Sequence, residues 1–165
     1  MVVEIPLTQG KAVLVNDVFA RVVEQYNWYA QRCQDGRCWT AERRSGKMKM
    51  HRYIMSLHLG RFLTLSEEVD HINHDGLDNR IENLRLATQG QNNANQRVRV
   101  GPKSSKYKGV YWEQRKGKWR ARIWVGGKQH SLGYFLHEED AAEAYNTAAL
   151  KYFGEYACLN NAAEA

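Results

Sequence analysis

An α+β fold built from small antiparallel sheets, each with a short helix beside it, is what this 165-residue sequence predicts. Three observations carry the prediction. Runs of aromatic and alternating residues are separated by Gly-containing turns, the mark of antiparallel hairpins. Two stretches, around Tyr53 to Gly60 and Glu138 to Gly154, keep helical apolar spacing and end at glycine. A hydrophobic fraction of 43% and a charged fraction of 25% match globular chains and exclude wholesale disorder.

Residues 1–66 read as a small β-rich region that supports the segment C-terminal to it. Lys11 to Val15 is strand-like, and Asn16 and Asp17 are placed to cap a brief helix through Phe19, Val22, Val23 and Tyr26. WYAQR, WTAERR and MKMHRYIM, parted by the QDGR and SGK turns, form a meander. Cys33 and Cys38 face each other across QDGR, where a cross-strand contact is possible. Three cysteines are an odd number and no disulfide framework, so they read as buried or half-exposed thiols. A zinc site would want a second Cys/His pair at similar spacing, and no Cys pair recurs. Tyr53, Ile54, Leu57 and His58 lie on one side of a helix closed at Gly60.

Residues 67–99 hold the sequence's densest polar stretch, VDHINHDGLDNRIENLRLATQGQNNANQR. VDHI and LRLAT read as strands, the segment between them as a loop, and QGQNNANQRV as a helix despite Gly90. Some thirty residues cannot bury a core of their own, so this unit leans on its neighbours or on a metal. VGPKSS, residues 100–105, is a linker. In 106–160 three strands, KGVYWEQ, KWRARIWV and QHSLGYF, are joined by the turns RKG and GGK. Next comes a helix with Ala141, Ala144, Tyr145, Ala148, Ala149 and Tyr152 on one stripe; residues 161–165 are a tail.

Net charge is +6 and the pI about 9.3, which favours a polyanionic partner. Between Gly101 and Phe135 nine Lys/Arg stand against one acid, whereas Leu136 to Ala165 holds six acids and one base. No apolar run of about 18 residues and no signal-peptide layout occurs, so no membrane partner is expected and an intracellular location is.

The chemistry of 67–99 is that of phosphodiester hydrolysis. Such a reaction needs a nucleophilic water and charge stabilisation at phosphorus and at the leaving oxygen. A neutral imidazole supplies the first and one oxygen-ligated cation the rest. Mg²⁺ keeps several waters, so Asp70 and Asn92 suffice as protein ligands if the helix packs back on the first strand. Strand alternation points Asp70 and His71 to opposite faces, so a bend must bring both to one site. Asp78, Asn79 and Asn83 also suit an Asx-rich loop that bonds its own backbone. Arg80 and Arg85 can pair with Glu82 or Asp75, or with phosphate.

This stretch resembles the HNH homing endonucleases of phages and introns, in the branch whose last motif position is Asn. The resemblance spans nearly thirty residues and implies a ββα-metal unit. It gives His71 the place of general base, Asp70 and Asn92 those of metal ligands, and Asn83 that of the structural asparagine that fastens the loop and orients the histidine. Asn93 and Asn95 lie close enough to compete with Asn92. His74 falls where relatives carry Gly. Mg²⁺, with Mn²⁺ as a substitute, is the implied cofactor, and His51-Arg52 resembles the usual prelude to the motif.

In the third region, strand alternation puts Arg120, Arg122 and Trp124 on one face and Trp119, Ala121, Ile123 and Val125 on the other. The second set suits the alanine-rich helix stripe. The first suits DNA, and a three-stranded sheet fits a major groove about 12 Å wide. SKYKGV, GKW, LGYF, EDAAEAYNTAA and GEYACLN resemble the plant APETALA2/ethylene-response-factor DNA-binding domain over about fifty-five residues. The resemblance implies Lys108, Tyr111, Arg115, Lys118, Arg122, Trp124 and Gln129 as DNA contacts, with Arg120 beside them on the same face. Tyr111, Arg122 and Ser131 depart from the plant pattern, so the plant target sequence does not transfer. His137 is a poorer helix cap than Thr or Ser.

The combined expectation is a site-specific, metal-dependent DNA endonuclease of phage or mobile-element type, acting on double-stranded DNA in the cytoplasm of a bacterial host, as monomer or homodimer. The alternative is a DNA-binding regulator with an idle HNH remnant.

Overall fold

The computed structural model describes residues 1–33, 36, 38–97 and 104–160. Most of the expected linker and the tail lie outside these. The described chain is mixed helix and strand with small antiparallel sheets, and it divides into two compact units, Met1–Gln89 and Gly90–Ala165.

The first unit opens with a hairpin of β1 (Val2–Pro6) and β2 (Ala12–Asn16), followed by α1 (Asp17–Val23). The expected strand at Lys11–Val15 is β2, whereas β1, its partner, has too short an alternation to stand out beside Pro6. A second sheet, in the order β3 (Trp28–Arg32), β4 (Trp39–Arg43), β5 (Met48–Lys49), leads into α2 (Met50–Leu59), which Gly60 ends in the left-handed conformation. β6 (Glu68–His71) then pairs with β7 (Leu84–Ala87). Val13, Val15, Val23, Met50 and Ile54 are fully buried at the centre, and Trp28 donates its indole N–H to the Val23 carbonyl at 2.8 Å.

Two expectations are corrected in this unit. Cys33 and Cys38 are joined as a disulfide rather than left as thiols. The Cys33 N–H donates to the Cys38 carbonyl at 2.9 Å, extending the β3–β4 ladder by one pair. That brings the two Cα atoms to 5.3 Å, within bonding range of a bridge. Asn16 precedes α1 but does not cap it with its side chain. Its carboxamide instead accepts from the Ile81 N–H at 2.7 Å and donates to Glu82 at 2.9 Å, pinning the polar loop that precedes β7.

α3 (Gln89–Asn95) carries the chain into the second unit. There β8 (Val110–Glu113), β9 (Lys118–Val125) and β10 (Lys128–Phe135) form an antiparallel sheet with β9 in the middle, and α4 (Glu138–Phe153) lies on it. Ala121 and Ile123 are buried against the Ala141, Tyr145, Ala148 and Ala149 stripe, as the alternation of β9 requires. Small side chains let helix and sheet approach closely, and Gly109 is part of the same fit. It has φ +76°, and a Cβ there would collide with the Tyr145 ring and the Arg122 carbonyl. Tyr152 leaves the expected stripe: it is 43% exposed, with its ring 5.9 Å from that of His130. His137 makes no capping bond, and Glu138, Glu139 and Asp140 complement the helix N-terminus instead.

Candidate active site and nucleic-acid interface

The β6–β7 register sets Asp70 opposite Arg85 and His71 opposite Leu84. Asp70 is buried, and Arg85 donates to its Oδ2 through Nε at 3.0 Å and Nη2 at 2.8 Å. Arg85 therefore pairs with Asp70, correcting the expectation of Glu82 or Asp75. Cross-strand pairing at a one-to-one register makes this contact, which sequence spacing alone does not reveal. Arg80 sits chiefly on Asp78, at 2.7 Å, with Glu82 at 3.9 Å.

His71 ends β6. Its Nε2 lies 3.1 Å from Asn79 Oδ1, and its ring meets that of His51, on α2, edge to face at 4.8 Å. Asn79 is wholly buried, with its backbone N–H on the Leu14 carbonyl at 2.8 Å. It is thus more than an Asx loop closer, since its carboxamide oxygen lies within hydrogen-bonding distance of the imidazole. Nothing local marks it out, because its burial depends on β2, some sixty residues upstream.

Asn83 knits the loop. It accepts from the Asn73 N–H at 3.0 Å and donates to the Asn73 side chain at 2.9 Å and to the Asp78 carbonyl at 2.8 Å. Asn73 in turn donates to Asp78 at 2.9 Å and accepts from the Asp75 N–H at 2.8 Å. His74 adopts φ +65°, the conformation glycine takes without steric cost, which explains why Gly is at home at this position. At Gly76 a Cβ would run into the Trp39 carbonyl, so that motif glycine answers to a close backbone approach.

Burial holds both imidazoles below the ordinary histidine range. His51 is lowered well below it, mainly by desolvation and further by the positive charges of His71, Lys49 and Arg52. For His71 desolvation again dominates, partly offset by the Asn79 hydrogen bond and by Asp70, Asp75 and Asp78. The unfolded chain binds protons at these histidines below about pH 6.5, while the folded chain resists them. Stability is thus complete above about pH 6.5 and is lost as pH falls toward the depressed folded values. The urea midpoint is expected to drop between about pH 7.5 and about pH 5.5, and His51→Leu to make that drop shallower. Equal slopes in the two proteins would remove His51 from the account.

Of the candidate metal-holding asparagines, Asn92 is half-buried, Asn93 exposed and Asn95 buried; all three stand on α3 in the second unit. Among the described residues no group of three or more His, Cys, Asp or Glu side chains is placed to hold a metal ion. The donors on offer are one carboxylate and carboxamides, which are hard oxygen ligands.

The second unit presents a basic, aromatic sheet face away from α4. Register places Tyr111 beside Arg120, Ser131 beside Arg122, and Gln129 beside Trp124. Arg122 donates to Gln129 at 3.0 Å and lies 4.5 Å over the Tyr111 ring; Arg120 lies between Tyr111 and Tyr134. Trp124 is 60% exposed, and Arg115, Lys118 and Gln129 are exposed too. Lys108 differs: its ammonium donates to the Ala94 carbonyl at 2.5 Å and the Gln96 carbonyl at 2.6 Å.

A family model described as HNH endonuclease matches residues 48–94, a span that begins at β5 and takes in His51, Asp70, His71, Asn83 and Asn92. The chain is 34% identical over 139 residues to an uncharacterized HNH endonuclease of Acanthamoeba polyphaga mimivirus, covering 84% of this chain and 69% of that protein. It is 44% identical over 66 residues to APETALA2-like protein 2 of Oryza sativa subsp. japonica, covering 39% of this chain and 15% of that protein. An AP2-like ethylene-responsive transcription factor of Arabidopsis thaliana is 47% identical over 64 residues, covering 38% of this chain and 13% of the factor. No solved structure matches. No helix among the described residues is long and apolar enough to cross a membrane. With a viral relative aligned over most of both chains and the family model falling on the polar motif, the chain belongs to the HNH endonuclease family, with APETALA2-like similarity in its C-terminal part.

Proposed function

We propose that this protein is a site-specific DNA endonuclease of homing type, in which β6, β7 and α3 make up a ββα-metal unit and His71 is the general base. The observation that carries the reading is the setting of His71. It ends β6 one residue after a buried carboxylate, is depressed toward its neutral form by burial, and has one ring nitrogen tied to Asn79. The Asn79 oxygen at His71 Nε2 orients the imidazole, whose neutral form accepts a proton from water. Asn83 acts one step back, holding the loop in which Asn79 sits.

The donor set fits a hydrated divalent cation. Asp70 is a buried anion whose carboxylate, now paired with Arg85, is a hard oxygen donor, and Asn92 supplies a neutral oxygen. When bound, Mg²⁺ or Mn²⁺ would supply charge stabilisation at phosphorus and at the departing 3′ oxygen, leaving 5′-phosphate and 3′-hydroxyl ends. The chain's part is to orient the water at His71 and to grip the duplex. Tyr111, Arg115, Lys118, Arg120, Arg122, Trp124 and Gln129 are the groups we assign to the major groove and its phosphates. One such site cuts one strand, so a single chain nicks, and a double-strand break takes two chains or two events. A phage or mobile element in a bacterial host suits such an enzyme.

Conversion of supercoiled plasmid to nicked circles tests the reading. We expect nicking by the wild type with Mg²⁺ and none in EDTA. A wild type that binds plasmid but never nicks it, with Mg²⁺ or Mn²⁺, would replace this reading with that of a DNA-binding regulator.

A further inference from the structure

α3 is a helix that cannot hold itself. It has seven residues, QGQNNAN, with a glycine second and three asparagines, all poor helix formers. Isolated helices below about 12 residues are marginal even with ideal sequences. Part of its length also borders open space. Gly90, Asn93 and Ala94 line a cavity of about 300 Å³ whose other walls include Lys108, Ile123, Trp124 and Tyr145.

What holds the end of α3 is polar. The last carbonyls of a helix lack intrahelical partners, and a cation there also complements the helix dipole. Lys108 supplies both, with its ammonium on the Ala94 and Gln96 carbonyls, and the Cys158 N–H adds a further bond to Ala94 at 3.3 Å. Lys108 is itself locked at its backbone. Its N–H donates to Asn160 Oδ1 at 2.6 Å, and Asn160 returns a bond to its carbonyl at 3.1 Å. Asn146 on α4 then grips Asn160 through both groups of its carboxamide, at 2.9 and 2.7 Å. Asn146, Asn160 and Lys108 thus form a relay from α4 to the end of α3. Burial pushes the Lys108 ammonium below the ordinary lysine range, so its two carbonyl partners are what keep a charge there tolerable.

We infer that Lys108 is a positioning residue of the nuclease site rather than a DNA contact: it clamps the end of α3 and so holds Asn92, two residues before the clamped Ala94 carbonyl. The inference rests on the proposed role of Asn92 as a metal ligand. It reassigns a lysine that resemblance to the plant domain hands to DNA. A residue supporting a metal ligand at one remove typically controls metal affinity by 10–100-fold.

The test is Lys108→Met in the full chain, with three measurements. Binding to a mixed-sequence DNA duplex in EDTA is expected to match the wild type, with an unchanged salt slope. The Mg²⁺ concentration for half-maximal plasmid nicking is expected to rise about 10-fold or more. Amide exchange at 91–97 in the metal-free protein is expected to quicken, while exchange in β9 stays put. Lys108→Arg, which keeps donors for both carbonyls, is expected to behave as the wild type throughout. Weaker binding in EDTA with a salt slope reduced by about one marks a phosphate contact and overturns the inference. Unchanged exchange at 91–97 overturns it as well. A wild type that does not nick defeats the proposed function, and the clamp is then decided by exchange and EDTA binding.

Discussion

Replacing His71 with alanine is expected to slow Mg²⁺-dependent nicking by about 10²–10⁴-fold, the usual contribution of a positioned general base. Affinity for DNA in EDTA should stay at the wild-type level, because the proposed duplex contacts are on the sheet of the second unit. The size of the effect reflects the groups already arranged around His71. Burial favours its neutral form, the form that can accept a proton. The Asn79 bond and the edge-to-face contact with the His51 ring hold the imidazole in place. Asn79→Ala should therefore show a smaller loss of the same kind, since it frees the ring without removing the base. A rise in the pH at which nicking is half-maximal would accompany loss of the burial that depresses His71. Plasmid nicking by His71→Ala at the wild-type rate would remove His71 from the base role, whatever happens to binding.

The parts of this molecule that are periodic could be read from the chain. β9 lies where KWRARIWV alternates, with Ala121 and Ile123 inward and Trp124 outward, because a strand's two faces are set directly by its sequence. α4 and its alanine stripe were legible for the same reason, as was α2 up to Gly60. Asp70 and His71 stood out in the sequence by their chemistry, and Asn83 by the resemblance of its motif. The wiring of the candidate site was not legible. Asn79 meets His71 only because the loop bonds β2, and Asn16 serves the loop rather than its own helix. Arg85 finds Asp70 through strand register, and Lys108 is diverted from the basic face by a helix end that offers two carbonyls. Most of these links join residues at least a dozen positions apart, where local propensity is silent and the choice among polar partners is made by tertiary packing. The cysteines misled for a related reason: an odd count argues against a framework, yet one hairpin register is enough to pair two of them.

Arg85→Met should cost about 3–5 kcal/mol in EDTA, the toll of stranding one member of a buried ion pair. Both side chains are largely shielded from water, at 11% exposure for Arg85 and 6% for Asp70, so solvent cannot replace the lost partner. Methionine keeps the length and apolar bulk of the arginine stem, which confines the loss to the missing charge and the hydrogen bonds it made. Removing Asp70 as well, in Asp70→Asn with Arg85→Met, should recover most of the stability, because an amide beside a thioether leaves no buried charge. The same pair predicts how the fold answers to metal. In the wild type Arg85 already neutralises Asp70 and repels an incoming cation. In Arg85→Met that neutralising guanidinium is gone, and the carboxylate attracts a cation more strongly. Mg²⁺ should therefore raise the urea midpoint of Arg85→Met by more than it raises that of the wild type. Saturation at about 100 times the dissociation constant would return roughly 2.7 kcal/mol. The double variant, with no carboxylate, should lose that response. Wild-type stability of Arg85→Met in EDTA would show that the pair contributes nothing to the fold. An equal Mg²⁺ response in the single and double variants would show that the cation does not meet Asp70. If both expectations hold, Arg85 is the counter-charge that lets a buried carboxylate exist in the folded chain before a metal arrives, at the cost of weaker metal affinity once it does.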